Sequence, residues 1–377
     1  MSLWPGKYVI GLTGNIATGK SVVRKMLGHL GAYGIDADTL SHRAIDKGAP
    51  GYQKVIDIFG KWILGTNDEI NREKLGRLVF DNPDALKALE DIVHPIVRVA
   101  IDVLVRRAEQ KVIVIEAIKL LEGDLYKACD TIWVANVPQQ LQISRLMNKR
   151  NMSRDEAERR IMVQTPQDEK IKNAHVVIEN DGTFENTWRQ VVAAWRTLIP
   201  VMEAPVKRPI EVPAGEITVH RARPQEAEEI ARFIEKITQG MRRPTRSDVM
   251  AAFGEQAYMV LTLDKKMVGL LGWQVENLVT RVKDILLVSK IPLGHAMNTL
   301  MHEVEEASKQ LQSEACLLFV SPRMANHQRI WKTLGYERKE ITDLGVRAWE
   351  DAARESTTPG AVLLFKQLRK NRVLRPV

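Results

Sequence analysis

A short glycine-rich segment near the N-terminus contains the residue types that bind phosphate. Residues 14–21 read Gly-Asn-Ile-Ala-Thr-Gly-Lys-Ser and fit the pattern G-x-x-x-x-G-K-[ST] at every fixed position. In such a loop the glycines let the backbone curl with its N–H groups pointing inward at a helix N-terminus. Lys20 would reach the β- and γ-phosphates, and the Ser21 hydroxyl would hold Mg²⁺. The pattern predicts a nucleoside-triphosphate site made of Gly14, Asn15, Ile16, Ala17, Thr18, Gly19, Lys20, Ser21 and Val22.

The segments on either side of this loop are those that the motif requires. Residues 8–12 form a short apolar run that suits a buried strand, and residues 22–30 have apolar residues at helical spacing. The alternative is a chance glycine turn before a helix. The complete motif between a strand and a helix argues against that alternative.

Two aspartates follow the next helix. Residues 34–39 read Gly-Ile-Asp-Ala-Asp-Thr and resemble the end of a second strand. Asp36 and Asp38 are two residues apart, so on a strand they would share one face. Carboxylates beside a phosphate loop can orient Mg²⁺ or accept a hydroxyl proton. Aspartate also suits a turn followed by a helix N-cap, and the spacing alone leaves both interpretations open.

Three more apolar runs, at residues 111–117, 131–137 and 175–179, predict further strands. Because such runs alternate with helical segments, they predict a parallel sheet covered on both faces, an α/β fold. The carboxyl ends of the strands would then bring Gly14, Asp36, Asp38 and Glu116 to one edge of the sheet. That edge is where open α/β sheets bind ligands.

Two longer helical segments interrupt the alternation of predicted strands and helices. Residues 50–110 predict a helical insertion able to cover a substrate, with a break at 82–84 and a new helix after His94 and Pro95. Residues 139–172 are polar, helical and rich in arginine, as in the mobile lids of phosphoryl-transfer enzymes. Arg145 and Arg150 are the better functional candidates. Three further arginines fit a solvated helix with Glu–Arg pairs: Arg154, Arg159 and Arg160.

Composition limits the remaining possibilities. The chain has 377 residues, enough for two domains, and a formal net charge of +8. Its basic residues do not form a stripe interleaved with aromatic residues, which argues against nucleic-acid binding. The two cysteines, Cys129 and Cys316, indicate neither a disulfide framework nor a metal site. With no apolar run of membrane-spanning length and no signal-peptide pattern, we expect a cytoplasmic protein without a membrane partner.

Residues 7 to about 195 resemble the dephospho-coenzyme A kinases. Besides the loop and Ile35-Asp-Ala-Asp38, the resemblance includes Arg72, Gln164 and these segments: 48–50, 80–83, 89–95, 142–146, 152–157, 160–161 and 177–180. The order and spacing of these motifs make the resemblance specific. It implies a P-loop NTPase parallel sheet with a helical substrate insertion and a lid. It also implies transfer of the γ-phosphoryl group of ATP to the ribose 3′-hydroxyl of dephospho-coenzyme A.

The same resemblance implies roles for individual residues. Asp38 matches the family's proposed base, and Lys20 would act with it. The acceptor would contact Asp36, His94, Lys119 and Glu122. Arg145 and Arg150 would contact ATP.

Several positions depart from the family pattern and bear on acceptor affinity more than on reaction type. Asn15 replaces a usual glycine, at a cost in backbone freedom. Lys119 replaces an apolar residue, and His42 stands where arginine is common. The alternatives are a P-loop kinase of another nucleotide-like or alcohol acceptor, and a bifunctional kinase and acyltransferase. A nucleotide-operated switch is disfavoured because residues 148–151 lack the aspartate of the guanine-binding motif.

A second pattern follows a proline-rich segment. Residues 200–215 predict a semi-rigid linker between a kinase-like domain at 7–199 and another domain at 216–377. From residue 216 to about 345, the order of predicted strands and helices resembles the GCN5-related acetyltransferases, with residues 361–367 as a last strand.

The second half departs from that family at its pyrophosphate-binding loop. Residues 290–296 read Lys-Ile-Pro-Leu-Gly-His-Ala, with one glycine, and Pro292 lacks a backbone donor. Tyr336 fits a helix-end aromatic. The resemblance implies CoA or an acyl-CoA as the ligand. The altered loop favours a degenerate module for CoA sensing, oligomerisation or docking over acetyl transfer.

Overall fold

The computed structural model describes residues 3–65, 67–198, 217–369 and 373–374. These residues form two β-sheets, one in each half of the chain, with helices packed on both. We call residues 3–198 the first half and residues 217–374 the second half. The predicted linker at 200–215 lies outside the described residues.

The first half is built on a five-stranded sheet. Its strands are β1 (Tyr8–Thr13), β2 (Tyr33–Asp36), β3 (Val112–Glu116), β4 (Thr131–Asn136) and β5 (Val176–Glu179). They pair in the order β2-β3-β1-β4-β5, and every pairing is parallel. The central strands are apolar and almost fully buried, as expected for a sheet covered on both faces. The predicted parallel α/β fold is confirmed.

Helices cover both faces of this sheet. They are α1 (Lys20–His29), α2 (Ala37–Arg43), α3 (Tyr52–Phe59), α4 (Arg72–Asp81), α5 (Pro83–Arg107), α6 (Gln139–Arg150), α7 (Arg154–Met162), α8 (Gln167–Lys172) and α9 (Phe184–Leu198). α1 and α9 bury apolar residues against one face, and α2 and α5 pack in the core on the other. The loop at residues 14–19 is therefore held between a central strand and a buried helix.

The helical insertion differs from its prediction at one point. Asn82 caps α5 and accepts hydrogen bonds from the N–H groups of Asp84 and Ala85, so the predicted break there is confirmed. The predicted second break, at His94 and Pro95, is wrong because α5 continues through Pro95. Pro95 is on the exposed face of the helix, where water can bind the carbonyl that proline leaves without a donor.

The second half is built on a seven-stranded mixed sheet. Its strands are β6 (Ile217–Arg221), β7 (Ala257–Leu263), β8 (Lys266–Glu276), β9 (Val279–Leu287), β10 (Ala315–Val320), β11 (Glu337–Arg338) and β12 (Val362–Gln367). They pair in the order β11-β12-β10-β9-β8-β7-β6, with β9 and β10 parallel and the other neighbours antiparallel. This topology agrees with the acetyltransferase-like α/β (α+β) order expected from the sequence.

The helices of the second half are α10 (Ala227–Ile237), α11 (Arg246–Ala252), α12 (Leu293–Gln310), α13 (Pro322–Ala325), α14 (Gln328–Leu334) and α15 (Arg347–Ser356). The first half of β9 carries no clear strand pattern in the sequence, because Arg281 and Lys283 interrupt its apolar residues. Arg281 is buried in the strand, where its charge pairs with Glu276 and Glu355.

Side chains from both halves meet in a continuous interface. Arg43 pairs with the fully buried Glu314 at 2.9 Å and donates to the carbonyl of Asn277. The Nε2 atom of His29 lies 2.8 Å from the carbonyl oxygen of Phe253. The two described halves therefore pack closely on each other. No helix in the described part of the chain is long and apolar enough to cross a membrane.

Candidate active site

The glycine-rich loop has the backbone geometry that phosphate binding needs. Gly14 and Gly19 have φ values of 142° and 91°, in the region that favours glycine. A Cβ atom at Gly19 would lie 1.9 Å from the side-chain nitrogen of Asn180. Gly19 is the N-cap of α1, so the free N–H groups of the helix's first turn face the loop. These constraints explain both fixed glycines of the motif.

The backbone strain expected at Asn15 occurs at Ala17 instead. Asn15 is not among the residues with positive φ, whereas Ala17 has a φ of 64°. Asn15 is buried, and its side chain donates to the carbonyl of Thr165 while its N–H donates to Gln167. The replacement of glycine at position 15 therefore supplies a contact to the lid segment.

Lys20 and Ser21 lie at the start of α1. Lys20 is buried, and its ammonium nitrogen lies 3.3 Å from the carbonyl oxygen of Asn15. Burial lowers the pKa of Lys20. The Ser21 hydroxyl donates to Glu116 at 2.9 Å, and Arg24 donates to the other oxygen of that carboxylate at 2.5 Å. Glu116, at the end of β3, thus holds the side chains of Ser21 and Arg24 of α1 in place.

Of the two interpretations that the spacing of the aspartates leaves open, the structure shows the helix cap and not the shared strand face. β2 ends at Asp36, which accepts a hydrogen bond from the N–H of Thr39 as the N-cap of α2. Asp38 is in the first turn of that helix and accepts from the N–H of Ile118 at 3.1 Å. Aspartate is a strong N-cap, so the helix begins earlier than the apolar pattern suggested. Both carboxylates still border one cleft with Lys20.

The electrostatics of Asp38 suit a proton acceptor. Burial raises its pKa to about 6, and the neighbouring Asp36 carboxylate adds to that rise. Burial also raises the pKa of Asp36, while Arg24, at 3.7 Å, opposes the rise. Asp36 is held by its helix cap and its ion pair with Arg24, whereas Asp38 is held by the N–H group of Ile118.

Residues of the predicted lid segment form hydrogen bonds with the backbone of the phosphate loop. Gln164 accepts a hydrogen bond from the N–H of Ile16 at 2.8 Å. Arg145 donates to the carbonyl oxygens of Ala17 and Asn180, at 3.1 and 2.6 Å. Arg154 and Arg160 form exposed ion pairs within α7, as their helical spacing predicted. Arg145 thus contacts the loop itself, and the α7 pairs lie on the outer surface.

These groups line a cleft of about 610 Å³ at the carboxyl edge of the first sheet. The predicted residues that line it are Ile16, Ala17, Gly19, Lys20, Ser21, Val22, Asp36, Asp38, Arg145 and Arg150. His42, which replaces an arginine of the family pattern, also lines the cleft. Phosphate-binding, acidic and basic groups therefore meet in one space large enough for a nucleotide.

The remaining predicted acceptor contacts lie outside the lining of this cleft. His94 is exposed on α5. Lys119 pairs with Glu90 of the helical insertion at 2.8 Å, and Glu122 accepts from the Thr165 hydroxyl of the lid at 2.5 Å. Lys119 and Glu122 thus join the segment after β3 to the insertion and the lid. Their contact with an acceptor stays a prediction.

Several residues near the cleft are absent from the predictions made from the sequence, among them Lys170, Phe184, Gly254 and Glu255. Lys170 is almost fully buried and donates to the carbonyl of Ile118, the residue whose N–H group donates to Asp38. Phe184, Gly254 and Glu255 line the cleft, the last two from the second half. No pattern in the sequence marks these residues, because they reach the cleft through tertiary packing. Lys170 alone lies in a segment with a sequence signal, the polar and arginine-rich residues 139–172.

Comparisons with known proteins agree with the geometry of the first half. Residues 8–186 match the dephospho-CoA kinase family. The dephospho-CoA kinase of Carboxydothermus hydrogenoformans is 43% identical over 187 residues, covering 49% of this chain and 91% of that protein. That of Geobacter metallireducens is 43% identical over 194 residues, covering 51% and 96%.

The second half is similar to a solved acetyltransferase of the GNAT family from Staphylococcus aureus. The identity is 13%, with 41% of this chain and 100% of that chain covered and a TM-score of 0.33.

The loop, the aspartate after β2 and the lid thus occur together in a sheet of the expected topology. Nearly the whole length of relatives more than 40% identical aligns with the first half. This chain therefore belongs to the dephospho-CoA kinase family.

Proposed function

We propose that this protein transfers the terminal phosphoryl group of ATP to the ribose 3′-hydroxyl of dephospho-coenzyme A, giving coenzyme A and ADP. Family membership supports the reaction. The observation that carries the proposal is a complete phosphate-binding loop that borders the same cleft as Asp38. The kinase domain would span residues 7–199, followed by the linker and a second domain at 216–377.

The loop and Lys20 bind the phosphates of ATP. The N–H groups at the start of α1 point into the loop, and the Lys20 ammonium group supplies a positive charge beside them. Because Lys20 is buried, its charge acts in a poorly hydrated site, where it stabilises the charge that develops on the transferred group. Arg145, fixed on the loop carbonyls, and Arg150 add positive charge from the lid side.

Asp38 orients the acceptor hydroxyl and takes its proton. As the acceptor oxygen forms its bond to the terminal phosphorus, the bond from that phosphorus to the ADP oxygen breaks. The hydroxyl proton moves to the Asp38 carboxylate. A pKa of about 6 leaves Asp38 ionised at neutral pH and still basic enough to accept a proton. The hydrogen bond from Ile118 keeps the carboxylate in position.

The residues present fit a magnesium ion. The Ser21 hydroxyl and the Asp36 carboxylate line the cleft beside the phosphate loop and supply oxygen atoms of the kind that Mg²⁺ prefers, although the described residues hold no cluster of three or more acidic, histidine or cysteine side chains. Ser21 would hold the ion, which when bound neutralises charge on the phosphates of ATP.

The second half is proposed to be a degenerate module for CoA sensing, oligomerisation or docking that transfers no acyl group. α12 begins at Leu293, directly after Pro292, and Tyr336 is buried in the core of the second sheet. A proline at the helix entrance removes one N–H donor that a pyrophosphate would use. These features support a binding, oligomerisation or docking module rather than a second active site.

The proposed reaction is tested by ADP release with dephospho-coenzyme A compared with a panel of nucleosides, nucleotides and simple alcohols. We expect turnover with dephospho-coenzyme A at least about 100-fold above any other acceptor, because matched hydrogen-bonding sites discriminate strongly. Lys332→Ala, an exposed lysine of the second half, serves as the control and should match the wild type. Preference for a different acceptor would reject this substrate while leaving the kinase fold in place.

A further inference from the structure

One wall of the nucleotide cleft comes from the second half of the chain. Ala251, Gly254 and Glu255, at the C-terminal end of α11, line the cleft together with the loop and Arg145. The aligned kinases match only about half of this chain while being covered over more than 90% of their own length. The aligned region of those relatives therefore contains no counterpart of this wall.

The wall is joined to the first half through Phe184. This residue begins α9 and lines the cleft close to Asn180, which contacts the phosphate loop. A Cβ atom at Gly254 would lie only 3.1 Å from the Phe184 ring. The absence of a side chain at Gly254 thus allows the aromatic ring and the second half to meet directly. Phe184 also stacks on Trp188, with the ring centres 6.5 Å apart.

Contacts on both sides of this wall hold it in place. The carbonyl oxygen of Phe253 lies 2.8 Å from His29 at the end of α1. Arg246, at the start of α11, pairs with Glu185 beside Phe184 at 3.1 Å. The helix of the phosphate loop and the start of α9 are therefore both tied to α11. The wall is part of the packed interface between the halves.

The Glu255 carboxylate can accept a hydrogen bond from a bound nucleotide. It is exposed, and among the described residues it makes no side-chain hydrogen bond or ion pair, although Lys25 and Lys20 lie on the neighbouring helix. A carboxylate beside the phosphates would be repelled by them. The nucleoside end of ATP instead offers hydrogen-bond donors, on the ribose hydroxyls and the adenine amino group. A carboxylate that lines the cleft, as Glu255 does, therefore suits the nucleoside end of ATP better than the phosphate end.

We propose that the second half completes the ATP site of the kinase. Glu255 accepts a hydrogen bond from the nucleoside of ATP, and Gly254 lets Phe184 form the apolar side of the same pocket. This inference rests on the proposed function where it is tested by kinase turnover. It assigns to the second half a role in nucleotide recognition that needs no acyl chemistry.

The test is carried out on the full-length chain with Glu255→Ala, Glu255→Gln and Gly254→Ala. We expect Glu255→Ala to raise the KM for ATP about tenfold, the scale of a lost hydrogen bond to a charged group, with kcat changed less than about twofold. Glu255→Gln keeps an acceptor oxygen and should give a smaller rise. Gly254→Ala should raise the KM for ATP by displacing Phe184. Glu229→Gln, an exposed glutamate of α10, is the matched control.

A second measurement separates this inference from the proposed reaction. Titration calorimetry with a non-hydrolysable ATP analogue measures nucleotide affinity even if dephospho-coenzyme A proves to be the wrong acceptor. We expect Glu255→Ala to weaken the analogue by the same factor as the KM for ATP. Analogues lacking the 6-amino group or the 2′-hydroxyl identify the donor, because the variant should lose the discrimination against one of them. Unchanged ATP affinity, or an effect only on the KM for dephospho-coenzyme A, would overturn the proposal.

Discussion

Two loop-to-helix junctions in this chain can be compared directly, residues 14–19 before α1 and residues 288–292 before α12. Both join a strand of a sheet to the N-terminus of a helix. The first has left-handed glycines at both ends and a buried lysine inside the helix. The second enters its helix at Pro292, without a side-chain cap. A helix N-terminus alone favours anions, but the surrounding backbone decides whether the N–H groups can reach one.

The comparison shows where phosphate chemistry is retained and where the fold serves another purpose. In the first half, each element around the loop contributes a contact to it, from Glu116, Arg145 and Gln164. In the second half, the most direct link to the reaction is the wall formed by Gly254 and Glu255. The second sheet can thus support a nucleotide site without keeping a phosphate loop of its own.

Replacing Lys20 with alanine should produce the largest change. The buried ammonium group lies inside the phosphate loop, so its loss removes charge stabilisation in a site that excludes water. We expect kcat for phosphoryl transfer to fall about 10³-fold, measured by ADP release. The fold should be retained, as judged by circular dichroism. Full activity of Lys20→Ala would mean that the loop at residues 14–19 contributes no more to phosphoryl transfer than the junction at residues 288–292.

Replacing Asp38 with asparagine should give the next largest effect. The amide can still accept the hydrogen bond from Ile118 but cannot take a proton, so kcat should fall about 10²-fold with acceptor binding largely kept. In the wild type, Asp38 has a pKa raised to about 6. The activity should therefore fall about tenfold per pH unit below that value. A pH–rate profile of both proteins checks this, because the variant should lose the slope near pH 6. Full activity of Asp38→Asn would remove this residue from the mechanism.

Breaking the interface between the halves should change the stability of the protein and have a smaller effect on turnover. Arg43→Met removes the partner of Glu314, whose side chain is fully buried, and leaves that charge poorly compensated. We expect the free energy of unfolding to fall by about 3 kcal/mol in urea titration. Arg232→Met, which breaks an exposed pair within α10, should lower it by less than about 0.5 kcal/mol. Equal effects in both variants would show that the halves do not depend on this contact.

Acetyl-CoA should give the smallest effect. Because Pro292 replaces a backbone donor at the helix entrance, we expect no thioester consumption above background with amine acceptors. The assay is thiol release over time, with the kinase reaction of the same preparation as the positive control. Steady acetyl transfer would show that the second junction is catalytic despite its sequence, and would make the protein bifunctional.

Local patterns predicted much of the fold and the phosphate loop. The loop residues, the parallel strands and the capping residue Asn82 are each set by neighbours within a few positions. The sequence leaves open whether Asp36 and Asp38 belong to a strand end or to a helix start, because aspartate suits both positions. Arg281 concealed half of β9, since its charge is satisfied by partners that include the distant Glu355.

The contribution of the second half to the cleft could not be predicted from the sequence. Glu255 lies in an ordinary polar turn, and Gly254 is one of 23 glycines. Their position depends on how α11 packs against α1 and α9, which is fixed by contacts such as that between His29 and Phe253. His29 and Phe253 are 224 positions apart in the sequence, so no local spacing predicts their contact.

The position of the transferred phosphate tests the central claim most directly. Purified protein is incubated with ATP, Mg²⁺ and dephospho-coenzyme A, and the product is examined by ³¹P NMR and mass spectrometry. The account predicts one ADP for each new phosphate monoester, located on the ribose 3′-oxygen. Release of inorganic phosphate without an esterified product, or a phosphate on another hydroxyl, would contradict it.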